Sequence, residues 1–419
     1  MIFEPFKTGN VYKMRHGKVW ATFLMSDQLF YSLENDALAQ IRNTMELPGV
    51  KSLTITPDAH TGYGFAIGSV VESETHLYPD VVGPDPACSV ALSKLGRDNM
   101  SQWSGRRDLL EKMGERIGVG RGLSDWKISM ETFKLIIRGE MRPAKSWINS
   151  YPALWQESST EEYKALVKLL ESKMTDAMLH QVATIGGGNH FVEIQEAENG
   201  ENYLMTHFGS RGIGAAMAKW FDEAIAEELK KWNGTPMNGL LFVPAESFIG
   251  RMYYMFQLAM LEWASYNHHV IHQIVFEEVG GEYLGHIPHN FIEKRNGKYV
   301  GRKGATPAYE FDGIPLLIPG SMATGSYVLR PGVKSEKLGE SVSHGAGRVL
   351  SRGKAKEQLD QELVNMEFED AGVIGNFENV PLDESHGAYK DVDEVIQSLV
   401  DAEVAEVEMR LRPVMVLKG

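Results

Sequence analysis

Gly186-Gly187-Gly188-Asn189-His190-Phe191-Val192-Glu193-Ile194 sets a glycine triplet and a polar pair directly against a short β-rich run. Glycine is favoured where the backbone turns left-handed or must approach a ligand closely. The arrangement recurs at residues 62–68, 209–214, 320–325 and 345–347, which with 186–188 makes five clusters. Together they predict loops converging on one site. Helical patterns lie between them, at residues 106–116, 161–178, 215–232, 247–279 and 354–365. The second carries Leu166, Leu169, Leu170 and Met174 at three-to-four spacing. The third runs into Asn233-Gly234 and the fourth into Gly280-Gly281, both helix-stop signals. Strand-like runs occupy residues 52–55, 65–71, 89–92, 191–194, 316–318 and 414–417. Helices and short strands alternate without a regular strand–helix–strand beat. The expected class is α+β, with mixed sheets and surrounding helices, in one domain over residues 1–419.

The chain has 419 residues, with 42 Lys+Arg against 56 Asp+Glu and a formal net charge of −14. That balance argues against a generic polyanion binder, although an acidic body can still carry a local basic groove. A hydrophobic content of 43% supports a sizeable core and excludes disorder as the main state. The single cysteine, Cys88, excludes an intrachain disulfide framework and a four-cysteine zinc site. Its solitary use fits a reducing compartment. The stretch Met1-Ile2-Phe3-Glu4-Pro5-Phe6-Lys7 lacks the basic-then-apolar order of a signal peptide. No apolar run approaches the ~18–20 residues that span a bilayer. A soluble, cytoplasmic protein is expected.

Asp85-Pro86-Ala87-Cys88 places a carboxylate and a thiol where a tight turn lets both face one cation. A lone cysteine is more often a small buried hydrophobe. The histidines strengthen the metal reading. His190, His207, His289 and His344 all lie in loop-like stretches, most of them beside glycine. Imidazole, carboxylate and thiolate together suit a divalent site, and this donor set alone suggests Zn²⁺ first. Such a set could hold two ions about 3.5–4 Å apart, a spacing suited to phosphate chemistry. His268 and His272, four apart on a helical stretch, are a weaker candidate pair without a third ligand. His60 is either a ligand or an orienting group. Arg211, Arg302-Lys303-Gly304 and Arg348 accompany loops able to offer backbone N–H groups to phosphate. No GxxxxGK[ST] loop occurs, so a nucleotide would be held by a different arrangement.

These residues stand in blocks whose order resembles the RtcB-type RNA ligases. The blocks are Pro57-Asp58-Ala59-His60-Thr61-Gly62-Tyr63-Gly64, Gly83-Pro84-Asp85-Pro86-Ala87-Cys88, Asn189-His190-Phe191-Val192-Glu193 and His207-Phe208-Gly209-Ser210-Arg211-Gly212. His289-Asn290, Arg302-Lys303-Gly304-Ala305-Thr306, Pro319-Gly320-Ser321-Met322, Ser343-His344-Gly345-Ala346-Gly347-Arg348 and Ala388-Tyr389-Lys390-Asp391 follow, with Leu411-Arg412-Pro413 and Lys418-Gly419 at the end. The resemblance implies joining of RNA ending in 3′-phosphate or 2′,3′-cyclic phosphate to RNA beginning with 5′-OH, as in RNA repair or tRNA splicing. It implies GTP and two Mn²⁺ ions, with His344 as the nucleophile that carries GMP. Cys88 would bridge the ions, Asp85 and His190 completing one and His207 and His289 the other. Asn189, His190, Phe191, Val192, Glu193, His289, Asn290, Pro319, Gly320, Ser321, Met322, Ser326, His344, Gly345, Ala346, Gly347 and Tyr389 would hold the nucleotide. Lys418 would reach the guanine edge. No membrane partner is implied, and a monomer is expected.

Four positions depart from the family pattern, one of them Ser89, which stands where glycine is usual. Ala91, His268 and Pro307 stand where arginines are usual, which suggests a changed RNA path. An alternative reading is therefore a specialised variant with altered RNA specificity, one that repairs a narrow set of broken RNAs or guanylylates RNA ends as a cap without sealing them. A third is a metal- or partner-binding protein on an inherited scaffold.

Overall fold

The strand Val50–His60 is paired on both sides and buried over most of its length, which places it inside a sheet. A computed structural model describes residues 6–96, 105–231 and 234–419. In it a seven-stranded sheet runs Phe6–Thr8, Val11–His16, Val19–Leu24, Val50–His60, Ile67–Ser73, Lys298–Lys303 and Asn290–Arg295. A second sheet runs Gly281–Pro288, Ser89–Leu95, Asn202–Phe208, Phe191–Ala197, Ala405–Lys418, Ser326–Pro331 and Leu316–Ile318, with Ile374–Gly375 beside Ala405–Lys418. The chain passes from one sheet to the other at His289, between Gly281–Pro288 and Asn290–Arg295. The candidate site lies at that seam.

Side-chain alternation along the second sheet decides what each residue meets. Asn202–Phe208 is buried at every position. Tyr203 and Met205 join the larger core, whereas Leu204 and Phe208 join a smaller one against the long helix Phe248–Val279. His207 thus shares the face of Tyr203 and Met205, and Thr206 turns towards the helix. On Phe191–Ala197, Phe191 packs in the larger core, whereas Val192 and Ile194 belong to the helix-side core. The helix Phe248–Val279 starts on Ser247, whose side chain accepts from Gly250 N, and stops at the left-handed Gly280. Its apolar residues face both cores, so it is buried nearly all round.

An α+β fold with helices around mixed sheets is what the sequence pattern predicts. Several boundaries differ. The helical stretch at residues 161–178 splits into Glu161–Lys173 and Asp176–Leu179, because Met174 is extended and Thr175 caps a new turn. The stretch at 354–365 splits into Arg352–Gln358 and Gln361–Asp370, because Leu359 is extended and Asp360 accepts from Leu363 N. Helix Arg211–Lys231 starts four residues before residue 215; of its expected end at Trp232 and stop at Asn233-Gly234, Trp232 and Asn233 lie outside the described residues, as do Met1 to Pro5. The expected strand at residues 65–71 is Ile67–Ser73.

Candidate active site

Cys88 closes a turn at the start of strand Ser89–Leu95. Ala87 takes a left-handed conformation (φ 61°), and its N–H donates to the Asn290 carbonyl. His289 N–H donates to the Cys88 carbonyl, so the crossover between the sheets is tied to the turn. Asp85 sits against Gly209, where any Cβ would fall inside the carboxylate. This is one position where glycine is required by close approach.

Two ligand groups share the cysteine. The donor atoms of Cys88, His207 and His289 lie within 4.8 Å of one another, as do those of Asp85, Cys88 and His190. Cys88 Sγ is 3.3 Å from His207 Nε2 and 3.6 Å from His190 Nε2. His207 Nε2 lies 3.2 Å from His289 Nε2, and His190 Nε2 lies 3.1 Å from Asp85 Oδ2. The other His190 nitrogen faces the Ile185 carbonyl at 2.9 Å, which orients the ring.

These residues fit divalent cations on their own chemistry. Burial, then neighbouring imidazoles, push His207 and His289 well below the usual histidine range, so both are neutral. Two neutral nitrogens facing each other at 3.2 Å share either one ring's proton or a cation. A cation about 2.0–2.1 Å from each nitrogen satisfies that distance. The second nitrogen of His289, Nδ1, is buried without a partner. Burial and the Asp85 carboxylate push the Cys88 thiol well up, so a thiolate forms there when a cation offsets both. Burial alone would raise Asp85, but the hydrogen bond and charge of His190 take it below the usual carboxylate range.

His344 stands beside this cluster, its ring centroid 4.9 Å from that of His289. It follows strand Ser341–Ser343, which pairs with Ala305–Pro307 just beyond the crossover. Asp58 accepts from His344 Nδ1 at 2.7 Å and from its backbone N–H at 3.2 Å. The Asp58 side chain is fully buried. Burial would raise it, but the contacts of His344 and Thr56 lower it, so it is ionised. With Nδ1–H donated to a carboxylate, Nε2 keeps its lone pair. Gly347 must be glycine here as well, because it is left-handed (φ 78°) and its missing Cβ leaves room for the Asp58 carbonyl.

His344 opens into a cavity of about 380 Å³. Asn189, Phe191, Glu193, Pro319, Gly320, Ser321, Met322, Gly345, Ala346, Gly347, Tyr389 and Lys418 line it, with His207 at its metal end. Other expected residues lie around it. His190 faces a second, more open cavity of about 450 Å³ with Asp85 and Arg211, and Asn189 lines both cavities. Val192 turns its side chain into the helix-side core. Ser326 Oγ stands behind the 319–322 loop, accepting from Gly320 N at 3.2 Å. Asn290 braces the turn, its Oδ1 accepting from Gly304 N at 2.7 Å. His60 lines the cavity wall and faces the Asp58 carbonyl at 2.8 Å.

Three residues at the site, two lining the cavity and one behind His344, escape sequence reasoning. Asp58 stands in a quoted motif, yet nothing local marks it as the partner of a histidine 286 residues away. Glu384, also buried, accepts from Arg348 and Tyr389 at 2.6 Å each, with Lys418 Nζ at 3.5 Å. Arg352 approaches the same carboxylate at 3.5 Å. The signal for Glu384 was its place five residues before Tyr389.

Several expected cationic contacts are corrected. Arg302 is wholly buried, paired with Glu293 and donating to Ser341 Oγ, so it offers nothing to phosphate. Lys303 Nζ donates to the carbonyls of Tyr63 and Asp80. Arg348 is held by Glu384 and the Asp383 carbonyl. Ala91, His268 and Pro307 are all buried, so these departures from the family pattern belong to the core and not to an RNA-facing surface. His268 and His272 gather no metal site, because hydroxyls of Ser89, Ser93 and Thr206 take up their nitrogens.

Comparison with known proteins agrees with this geometry. The family described as tRNA-splicing ligase RtcB matches residues 40–419. The chain is 30% identical to the tRNA-splicing ligase RtcB of Archaeoglobus fulgidus, over 96% of this chain and 95% of that protein. It is 30% identical to the protein of the same name from Thermococcus kodakarensis, over 96% and 94%. An RNA-splicing ligase RtcB homolog 2 from Entamoeba dispar is 28% identical, over 95% and 89%. With nearly its whole length matched, the chain belongs to the tRNA-splicing ligase RtcB family.

Proposed function

We propose that this protein is an RNA ligase that seals RNA 3′-phosphate or 2′,3′-cyclic phosphate ends to 5′-OH ends, using GTP. The observation that carries the reading is His344, held at Nδ1 by a buried carboxylate and presenting Nε2 in a cavity beside the metal ligands. The Nε2 lone pair attacks the α-phosphorus of GTP, the bond to pyrophosphate breaks, and GMP stays on the imidazole. Asp58 keeps the Nδ1 proton in place and offsets the charge that grows on the ring. An oxygen of the RNA 3′-phosphate then attacks this phosphorus, the P–N bond breaks, and the ring regains its lone pair. The 5′-OH attacks the activated 3′-phosphorus, loses its proton, and GMP leaves. A cyclic phosphate is first opened by water.

Two Mn²⁺ ions held by Asp85, Cys88, His190, His207 and His289 would neutralise phosphate charge and polarise the phosphorus under attack. Guanine would lie against the far wall. The Glu193 carboxyl would take its N–H edge and Lys418 its carbonyl, with Tyr389 along the ring face. The names of the relatives support tRNA splicing as the setting, and all residues of the chain would act as one ligase domain, as a monomer in the cytoplasm. Among the described residues no helix is long and apolar enough to cross a membrane.

The test is incubation with Mn²⁺ and α-labelled GTP, followed by a chase with RNA bearing 3′-phosphate and 5′-OH ends. Label should stay on the protein, vanish in His344→Ala, and pass through RNA to a sealed product. Label that survives His344→Ala refutes the mechanism. The guanylylation-only alternative draws less support from positions 91, 268 and 307, which are core. It would nonetheless be identified by GMP-capped RNA without joined product.

A further inference from the structure

On the helix-facing side of the second sheet lies a group of imidazoles that the ligation chemistry does not use. His268 and His272 come from the helix Phe248–Val279 and are fully buried. Their polar contacts form one line. Ser93 Oγ meets His272 Nδ1, and His272 Nε2 lies 2.8 Å from Thr206 Oγ1. Thr206 Oγ1 lies 2.7 Å from His268 Nδ1. At the end of the line His268 Nε2 sits 3.2 Å from the Phe208 carbonyl oxygen and 3.1 Å from Ser89 Oγ. The His268 ring also stacks on Phe208, with centroids 3.6 Å apart.

Donor and acceptor capacity fixes every proton in this line. The Phe208 carbonyl can only accept, so His268 Nε2 carries its hydrogen. In a neutral ring Nδ1 is then an acceptor, and the single hydroxyl hydrogen of Thr206 points to it. Thr206 Oγ1 must in turn accept from His272 Nε2–H. That leaves His272 Nδ1 to accept from Ser93. The opposite order would set two lone pairs against each other at Phe208. Burial, then nearby imidazoles, keep both rings neutral.

The line ends on the residues that adjoin two metal ligands. Phe208 follows His207, and Ser89 follows Cys88. Ser89 Oγ has its own hydrogen free for one of two carbonyls, that of Ala87 at 3.0 Å or that of Phe208 at 3.2 Å. Ala87 is the left-handed residue that turns the chain into Cys88. A non-glycine residue in that region is strained and persists only when its surroundings hold it. We infer that His268 is a positioning residue, the last link of an ordered hydrogen-bond line from Ser93, and that it fixes the strand ends carrying Cys88 and His207 in ligating geometry. The inference rests on the proposed role of Cys88 and His207 as metal ligands.

Cobalt(II) titration of the metal-free full-length protein tests it, with the sulfur-to-cobalt charge-transfer band as the second readout. His268→Phe keeps the ring and the stack but removes both nitrogens. His268→Gln restores a donor. Affinity in His268→Phe should fall about 10–100-fold, as for other groups that orient ligands, with a weakened or shifted band. His268→Gln should recover part of both. A merely structural role would lower the melting temperature and leave affinity and band unchanged, and that result overturns the inference. Failure of the wild-type protein to bind cobalt at all overturns the ligand assignment together with it. Should His268→Phe not fold, ¹⁵N shifts of histidine-labelled wild-type protein still decide. Both His268 and His272 should be Nε2–H tautomers, and an Nδ1–H tautomer at His268 overturns the proton order.

Discussion

Replacing Asp58 by Asn tests the most specific element of the site. The carboxylate accepts two hydrogen bonds from His344, at Nδ1 and at the backbone N–H, and one from Thr56 Oγ1. Asparagine offers one carbonyl and one NH₂ in the same space. Were the NH₂ turned to His344, it would oppose the backbone N–H and force Nδ1 to accept, moving the ring proton to Nε2 and removing the nucleophilic lone pair. The carbonyl therefore turns to His344, and the NH₂ faces Thr56. Thr56 can adapt, because its hydroxyl has a second acceptor in the Gly68 carbonyl at 3.1 Å. The tautomer survives and the loss is that of a charge-assisted hydrogen bond, about 1.5–3 kcal/mol. At ~1.4 kcal/mol per tenfold, the rate of GMP transfer to His344 should drop about 10–100-fold. Were the other orientation adopted, the loss would approach the ~10⁴-fold seen when a serine-protease aspartate becomes asparagine. Single-turnover labelling with α-labelled GTP at saturating Mn²⁺ measures the rate directly. A rate within about twofold of wild type, under ~0.5 kcal/mol, would show that Asp58 does not orient the nucleophile.

Cys88→Ser replaces the shared soft ligand by a hydroxyl that burial keeps neutral, so metal analysis should find both ions lost, and guanylylation with them. Arg302→Met breaks an ion pair whose partners are essentially inaccessible. Urea denaturation should show a loss of about 3–5 kcal/mol, while the salt dependence of RNA binding stays unchanged. His60 gives a pH signature, since burial pushes it down to about 4. Between pH 6.5 and about 4 only the unfolded chain takes up that proton, so stability falls as pH drops through this window. The loss reaches about 3 kcal/mol below it. Urea midpoints at pH 7 and 4.5 should therefore differ more in wild type than in His60→Gln. Binding of random single-stranded RNA should fall only gently with salt, because few of the site's cations are available to phosphate. A steep slope would contradict the placement of Arg302, Lys303 and Arg348.

The candidate metal cluster was legible in part because some of its members share a short-range pattern. Asp85 and Cys88 share one turn, and His190 and His207 adjoin glycine loops. Strand alternation was legible in kind but not in direction. Phe191, Val192 and Glu193 read as one block, yet Phe191 and Glu193 line the cavity while Val192 enters the other core. Which face meets the site depends on the sheet, and the sheet joins residues far apart in the chain. Charge was the least legible feature. Arg302 beside Gly304 looked like a surface turn, but Glu293, nine residues away across a hairpin, pairs with it in the interior. A sequence displays a guanidinium and its neighbours in order, not its partner in space. The same limit hid Asp58 from His344 and made His268 look like a lost surface arginine.

The cavity walls then account for how a chain of net charge −14 can take a triphosphate. Asp58, Glu193 and Glu384 are buried around the cavity, and Asp85 stands at the metal cluster. Arg348, Tyr389 and Lys418 converge on Glu384, so much of the positive charge near the base wall is already matched. Unmatched, the remaining carboxylates would repel the α- to γ-phosphates. Repulsion of this kind is least tolerable at low dielectric, and the site is buried. Divalent cations at the Cys88 cluster would reverse the sign of the field where it matters, next to His344 Nε2. They also turn the costly groups into assets, since a neutral imidazole pair and a buried thiol are poor neighbours for each other but good ligands. On the proposed mechanism the acidity of the chain is compatible with polyanion chemistry, because the positive charge at the reacting phosphorus would come from bound ions and not from side chains. On that logic, metal binding must precede productive GTP binding.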